Sequence, residues 1–232
     1  MPHRVIQLLV AAAVLGGLGL GAVTAFAAHE RVGRIQPLQL HMSPVVSKTA
    51  PTSSAPRPRS RAVGRPNDGR LLNGVMLPDE GRDFVSWDPI LNRLPNRQWR
   101  RFSTQRLLDV VRRALRDYRR ANPKAPRVLI GDLSLPEGGP FGREYGGLGH
   151  ASHQNGLDVD LSYPRRDGRL GKPWKVSLVD RRLAQELVDA FVAQPEVRFA
   201  FVGLDVGVKG SARVVQPIPL HNDHVHIRIA SR

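Results

Sequence analysis

The stretch GHASHQNGLDVDL, residues 149–161, packs two histidines and two aspartates around a glycine and then settles into a regular alternation. In its tail Leu157, Val159 and Leu161 point one way and Asp158 and Asp160 the other, because successive side chains on a strand alternate between faces. A second stretch near the C-terminus, HVHIRI at 224–229, has the same pattern. Val225, Ile227 and Ile229 share one face, and His224, His226 and Arg228 share the opposite one. Laid side by side, the two strands would hide their apolar faces and bring Asp160 and two imidazoles together on a polar surface. His153 would reach that surface from the preceding loop, with Gly156 allowing a sharp turn.

Around these strands the pattern predicts two helices. Thr104–Ala121 carries Leu107, Val111, Leu115 and Tyr118 on one stripe, with Ser103 to cap the start and Pro123 to stop it. Its other face is a row of arginines, Arg112, Arg113, Arg116, Arg119 and Arg120, which reads first as a solvated face. The second helix covers about 178–194, with Leu183, Leu187 and Phe191 on its stripe and Ser177 or Asp180 as cap. Further strand-like runs are RVLIGDLSL at 127–135 and VRFAFVG at 197–203. Strands and helices do not alternate regularly. The expected class is therefore α+β, a central antiparallel sheet with flanking helices.

The chain of 232 residues divides by composition into three parts. Residues 1–28 contain an uncharged apolar run ending in Ala25-Phe26-Ala27, which fits either a cleaved export signal or a retained N-terminal membrane anchor. Residues 29–66 are rich in Pro, Ser and Arg and read as a disordered basic linker, able to hold anionic envelope polymers. The folded domain is expected over 67–232. The net charge of +15 comes mostly from arginine, with only five lysines, and suits carboxylate- or phosphate-bearing partners. Export and the scarcity of aromatics among the arginines argue against nucleic acid. The absence of cysteine excludes thiolate metal sites, cysteine nucleophiles and disulfides.

Five of the eight histidines fall in the domain, and all five sit in two tight groups, His150 and His153, then His221, His224 and His226. Zinc takes nitrogen and oxygen ligands, three from protein at a catalytic site, leaving a place for water. His153, Asp160 and His226 supply such a set. His224, two residues from His226 on the same face, is left for proton transfer, and Asp158 is expected to brace the site. One catalytic Zn²⁺ is expected; His150 could join it, hold a second ion, contact substrate or simply lie in the loop.

His153-x6-Asp160 followed by His224-x-His226 resembles the zinc peptidases grouped with lysostaphin, the D-alanyl-D-alanine peptidases and the hedgehog domain. Together, GDLSLPEGGPFG at 131–142, GHASHQNGLDVDL and HNDHVHIRI at 221–229 resemble the penicillin-insensitive murein endopeptidases. The resemblance implies a hedgehog/D-Ala-D-Ala-peptidase-like fold. It implies Zn²⁺ on His153, Asp160 and His226, with His150 as a further ligand in some members. It also implies His224 as catalytic base and His221 as the group that steadies the oxyanion or orients the water. The substrate would be peptidoglycan, at the D-alanyl–diaminopimelate cross-link, and the place the periplasm or cell envelope. Arg228 and Arg143 are candidates for the carboxylates of the stem peptides. Two other readings stand beside the endopeptidase: a D,D-carboxypeptidase or dipeptidase on the same zinc, and a zinc-bearing wall-binding module that does not cut. The second shuttle-like histidine counts against the last.

Overall fold

A computed structural model of the chain describes residues 59–142 and 150–231. A hairpin opens it, β1 (Arg61–Arg65) against β2 (Asp68–Leu72), and the short β3 (Val75–Met76) pairs with β5 (Phe102–Ser103). The main sheet has six strands: β4 (Phe84–Ser86), β6 (Val128–Ile130), β7 (Asp158–Ser162), β10 (His224–Ile229), β8 (Val197–Gly203) and β9 (Val215–Ile218), in that spatial order. Its inner strands β6, β7, β10 and β8 are antiparallel, as expected. The outer pairs, β4 with β6 and β8 with β9, are parallel, so the sheet is mixed.

Helices α1 (Gln105–Ala121) and α2 (Arg181–Val192) bury the stripes read from the sequence. Leu107, Val111, Leu115 and Tyr118 join Leu183, Leu187 and Phe191 in one apolar cluster with Val159, Leu161, Val225, Ile227 and Ile229. The cap of α1 is Thr104, whose Oγ1 accepts from the Leu107 N–H at 3.2 Å, and not Ser103. Ser103 belongs to β5 and spends its hydroxyl on the Thr104 carbonyl at 3.0 Å. Asp180 caps α2 by accepting from the Leu183 N–H at 3.0 Å. Among the described residues no helix is long and apolar enough to cross a membrane; the apolar run at 8–28 lies outside them.

Three expectations change. The run at 127–135 is strand only over Val128–Ile130. Beyond it the chain crosses to β5: Leu133 N–H donates to the Arg100 carbonyl at 2.9 Å, and Ser134 exchanges backbone bonds of 2.7 and 3.0 Å with Phe102. β9 has no sequence signal, since Gln216 and Pro217 interrupt its apolar pattern. Regular structure also starts before Asn67, because β1 lies within the stretch read as linker. That hairpin is tied to the site loop: Gln154 N–H donates to the Pro66 carbonyl at 2.9 Å, and Asn155 Nδ2 donates to the Gly64 carbonyl at 3.2 Å.

The β7–β10 pair seats Leu161 and Ile227 in the core with no exposure, while the next residue on each strand faces the other way. Ile227→Ala should therefore cost ~2–5 kcal/mol of unfolding free energy. Urea titration should show this as a lowered midpoint with an unchanged slope.

Candidate metal centre

The opposite face of β7 and β10 carries the polar residues. The register sets His226 across from Asp160, Arg228 across from Asp158 and His224 across from Ser162. Asp160 is nearly buried, and four imidazoles approach its carboxylate. His153 Nε2 lies 3.3 Å and His226 Nδ1 3.4 Å from Oδ1; His224 Nε2 lies 4.0 Å from the same oxygen, and His150 Nδ1 lies 3.8 Å from Oδ2. Donor atoms of His150, His153 and Asp160 all fall within 4.8 Å of one another. His221 stands beside this group, its ring centroid 4.6 Å from that of His224 and 6.1 Å from that of His226.

Each of the five rings is held by one nitrogen. His153 Nδ1–H donates to the Leu133 carbonyl at 2.9 Å, and His221 Nδ1–H to the Pro219 carbonyl at 2.7 Å. His150 Nε2–H donates to Asp132 at 2.7 Å, His224 Nδ1–H to Asp223 at 2.7 Å and His226 Nε2–H to Asp158 at 2.9 Å. Fixing one nitrogen as donor leaves the other with its lone pair, and this is how metal-binding imidazoles are oriented. Two of the polar atoms this exposes, His153 Nε2 and Asp160 Oδ1, are buried without a hydrogen-bond partner. An orphaned buried nitrogen and carboxylate oxygen carry a desolvation cost, and a divalent cation between them would remove it. The donor set thus fits a metal that takes nitrogen and oxygen ligands.

Asp158 braces this arrangement. Its Oδ1 accepts from His226 Nε2 and from Arg228 Nε at 2.6 Å, and its Oδ2 accepts from the His153 backbone N–H at 3.2 Å. That last bond helps hold His153 at φ 67°, a left-handed conformation rare for a residue with a side chain. Gly156, at φ 76°, makes the turn; a Cβ there would come within 2.9 Å of the Thr104 nitrogen. Arg228 shares the face of His224 and His226, but its Nε is committed to Asp158 and its guanidinium lies 5.3 Å over the Phe201 ring. Arg143 lies outside the described residues.

Sequence reasoning gave no role to Asp132 or Asp223. Asp132 is fully buried and bonded to Arg100, to Asn96 Nδ2 at 3.1 Å and to His150. Burial opposes ionisation of Asp132, but the bonds from Arg100 and His150 outweigh it and pull its pKa to about 2. Asp158 is driven in the same direction: burial resists, and His226, His153 and Arg228 prevail. Burial lowers the pKa of His153 and of His221. For His150 and His224 burial is outweighed by neighbouring carboxylates, Asp132 and Asp160 for the first, Asp160 and Asp223 for the second, and both rise.

What fold and site define together is a mixed α+β domain that presents a histidine–carboxylate cluster of metal-binding type on one face of its sheet. The family described as penicillin-insensitive murein endopeptidase matches residues 62–173. A protein of that name from Yersinia enterocolitica is 30% identical over 219 residues, covering 81% of this chain and 73% of the relative. Namesakes from Pectobacterium atrosepticum (28% over 186 residues, 69% of this chain and 63% of the relative) and Escherichia coli O1:K1 (31% over 196 residues, 73% and 66%) are also similar. This chain belongs to the penicillin-insensitive murein endopeptidase family.

The Asp132–Arg100 pair makes the fold acid-sensitive. A carboxyl with pKa about 2 in the folded state and ~3.9 when unfolded stabilises the protein fully above the higher value and loses that contribution as pH falls from ~4 towards 2. Asp132→Asn should remove this acid limb. At neutral pH it should cost ~3–5 kcal/mol, because it removes the carboxylate that pairs with the buried Arg100. Urea midpoints measured down the pH series with chelator present should fall less steeply in the variant than in the wild type.

Proposed function

We propose that this chain is a zinc-dependent peptidoglycan endopeptidase that hydrolyses D-alanyl–diaminopimelate-type cross-links between stem peptides. The observation that carries the reading is the buried, unpartnered pair His153 Nε2 and Asp160 Oδ1, in a chain whose relatives are named murein endopeptidases. His153 Nε2, Asp160 Oδ1 and His226 Nδ1 would hold the Zn²⁺, and His150 Nδ1 is a further donor for the same or a second ion. Zinc bound there supplies a Lewis acid and lowers the pKa of its water.

The chain's own groups do the rest. His224 accepts a proton from the attacking water at Nε2 and returns it to the leaving nitrogen, while its Nδ1–H stays on Asp223. His221 stands beside His224 with its Nδ1–H on Pro219; it is assigned to orient the water, accepting at Nε2, and would steady the developing oxyanion only with a proton on that nitrogen as well. Arg228, beyond its bond to Asp158, and Arg143 are assigned to the carboxylates of the stem peptides. No serine nucleophile takes part, so β-lactams, which acylate serine, have no target.

The fold is read as hedgehog/D-Ala-D-Ala-peptidase-like. Residues 1–28 are read as an export signal or membrane anchor, and the Pro/Ser/Arg-rich stretch after it as a basic tether to anionic envelope polymers. The enzyme would then act in the periplasm or at the cell envelope.

Purified protein incubated with muropeptide dimers should give monomers by mass spectrometry. The reaction should stop with chelator and return with Zn²⁺. Loss of a terminal D-alanine alone would replace this reading with a carboxypeptidase, and unchanged dimers would replace it with a wall-binding module.

His153→Ala should lose both bound metal and hydrolysis. His224→Ala should keep the metal and lose about 10²–10⁴-fold in kcat, the usual worth of a general base. Metal content by elemental analysis, measured beside the kinetics, separates the two roles.

A further inference from the structure

The geometry points to Lys172 as a positioning residue that orients His224 through Asp223. This rests on the reading of His224 as the base. Asp223 divides its carboxylate between two partners: Oδ1 accepts from His224 Nδ1 at 2.7 Å, and Oδ2 pairs with Lys172 Nζ at 3.0 Å. The backbone of Asp223 is fixed, since its carbonyl accepts from the Tyr163 N–H at 3.2 Å. Its side chain is not fixed by packing, being about a third exposed. Lys172 holds the second oxygen and so sets the plane in which the first meets the imidazole. The lysine is itself placed by the Trp87 ring, 5.7 Å from its ammonium, and Trp87 Nε1–H is tied to Asn92 Oδ1 at 3.3 Å.

Energetics argue against a purely structural purpose. A partly exposed ion pair of this kind contributes ~0–1 kcal/mol to folding. Its leverage on the ring is larger. With the proton held at Nδ1 by Asp223, the His224 lone pair sits at Nε2, on the side of Asp160. Let the carboxylate swing away and the proton can move to Nε2, which removes the base from the site. Outer partners that fix a tautomer in this way are worth about 10–100-fold in activity.

The test uses the full chain labelled with ¹⁵N-histidine, as wild type, Lys172→Met, Lys172→Arg and Asp223→Asn. Two-bond ¹H–¹⁵N spectra, recorded with and without Zn²⁺, report which nitrogen of His224 carries the proton. Kinetics on muropeptide dimers and metal content are measured on the same samples. Asp223→Asn and Lys172→Met should shift His224 from the Nδ1–H towards the Nε2–H tautomer. They should lower kcat ~10–100-fold and ~10-fold respectively, with KM and bound zinc unchanged. Lys172→Arg should restore both tautomer and kcat. A wild-type tautomer and kcat in Lys172→Met would overturn the proposal. So would a raised KM at unchanged kcat, which marks a substrate contact instead. If His224→Ala stays active, the base reading fails on its own, and the spectra still decide whether Lys172 orients the ring.

Discussion

His226 lies across from Asp160 because β7 and β10 pair antiparallel in one register, and that register is enforced from the far side of the sheet. Val159, Leu161, Val225 and Ile227 have no exposed surface. Burying side chains of this size contributes ~1.5–3 kcal/mol each, so the four together are comparable with the ~5–15 kcal/mol net stability of a whole domain. A slip of one residue by either strand would turn its two apolar side chains outward and its polar ones, Asp158 and Asp160 or His224 and His226, into the core. The hydrophobic face therefore decides where the donors stand. The polar face inherits its geometry from packing it does not share.

That inheritance is costly, because it buries three carboxylates close together. Two are compensated within the protein. Asp132 has Arg100, Asn96 and His150; Asp158 has Arg228, His226 and the His153 backbone N–H. Asp160 is different. The groups around its carboxylate are imidazole nitrogens whose protons are committed to acceptors elsewhere, and its Oδ1 has no hydrogen-bond partner. Loss of a compensated carboxylate takes a bond from its partners, whereas Asp160 Oδ1 has none to lose. The asymmetry separates the members of the cluster that support the fold from the one whose unpartnered oxygen fits a cation.

The period-two pattern made the strand faces legible, and with them the convergence of His153, Asp160, His224 and His226. Helical stripes were legible for the same reason. What hid was whatever depends on contacts between distant segments. Asp132 lay in a run that reads as strand to Leu135, yet regular strand ends at Ile130; Gly131 and Asp132 still bond the Asp160 backbone at 2.8 and 3.0 Å, and the Asp132 carboxylate meets His150. Asp223 and Lys172 are 51 positions apart, and nothing local in either sequence announces an ion pair. The parallel outer strands were invisible because β4 and β9 are short and their partners are chosen by crossovers. Local periodicity fixes the direction in which a side chain points; it does not fix what meets it there.

The N-terminal hairpin shows how far the support of the site extends. Two candidate donors, Asp160 and His226, ride on strands whose place the core sets. His153 rides on a loop and carries a left-handed φ of 67°, which costs a residue with a side chain of order 1–3 kcal/mol and persists only where its surroundings enforce it. Part of that enforcement is the Asp158 bond to its N–H. Part comes from the next two residues: Gln154 N–H bonds to Pro66, and Asn155 bonds to Gly64. Both acceptors are backbone carbonyls in the stretch that composition assigns to the linker. A domain cut at Asn67 would keep all five histidines and all three aspartates and yet release the loop that aims the first of the donors. β1 thus belongs to the candidate metal centre in the physical sense, although it contributes no atom to it.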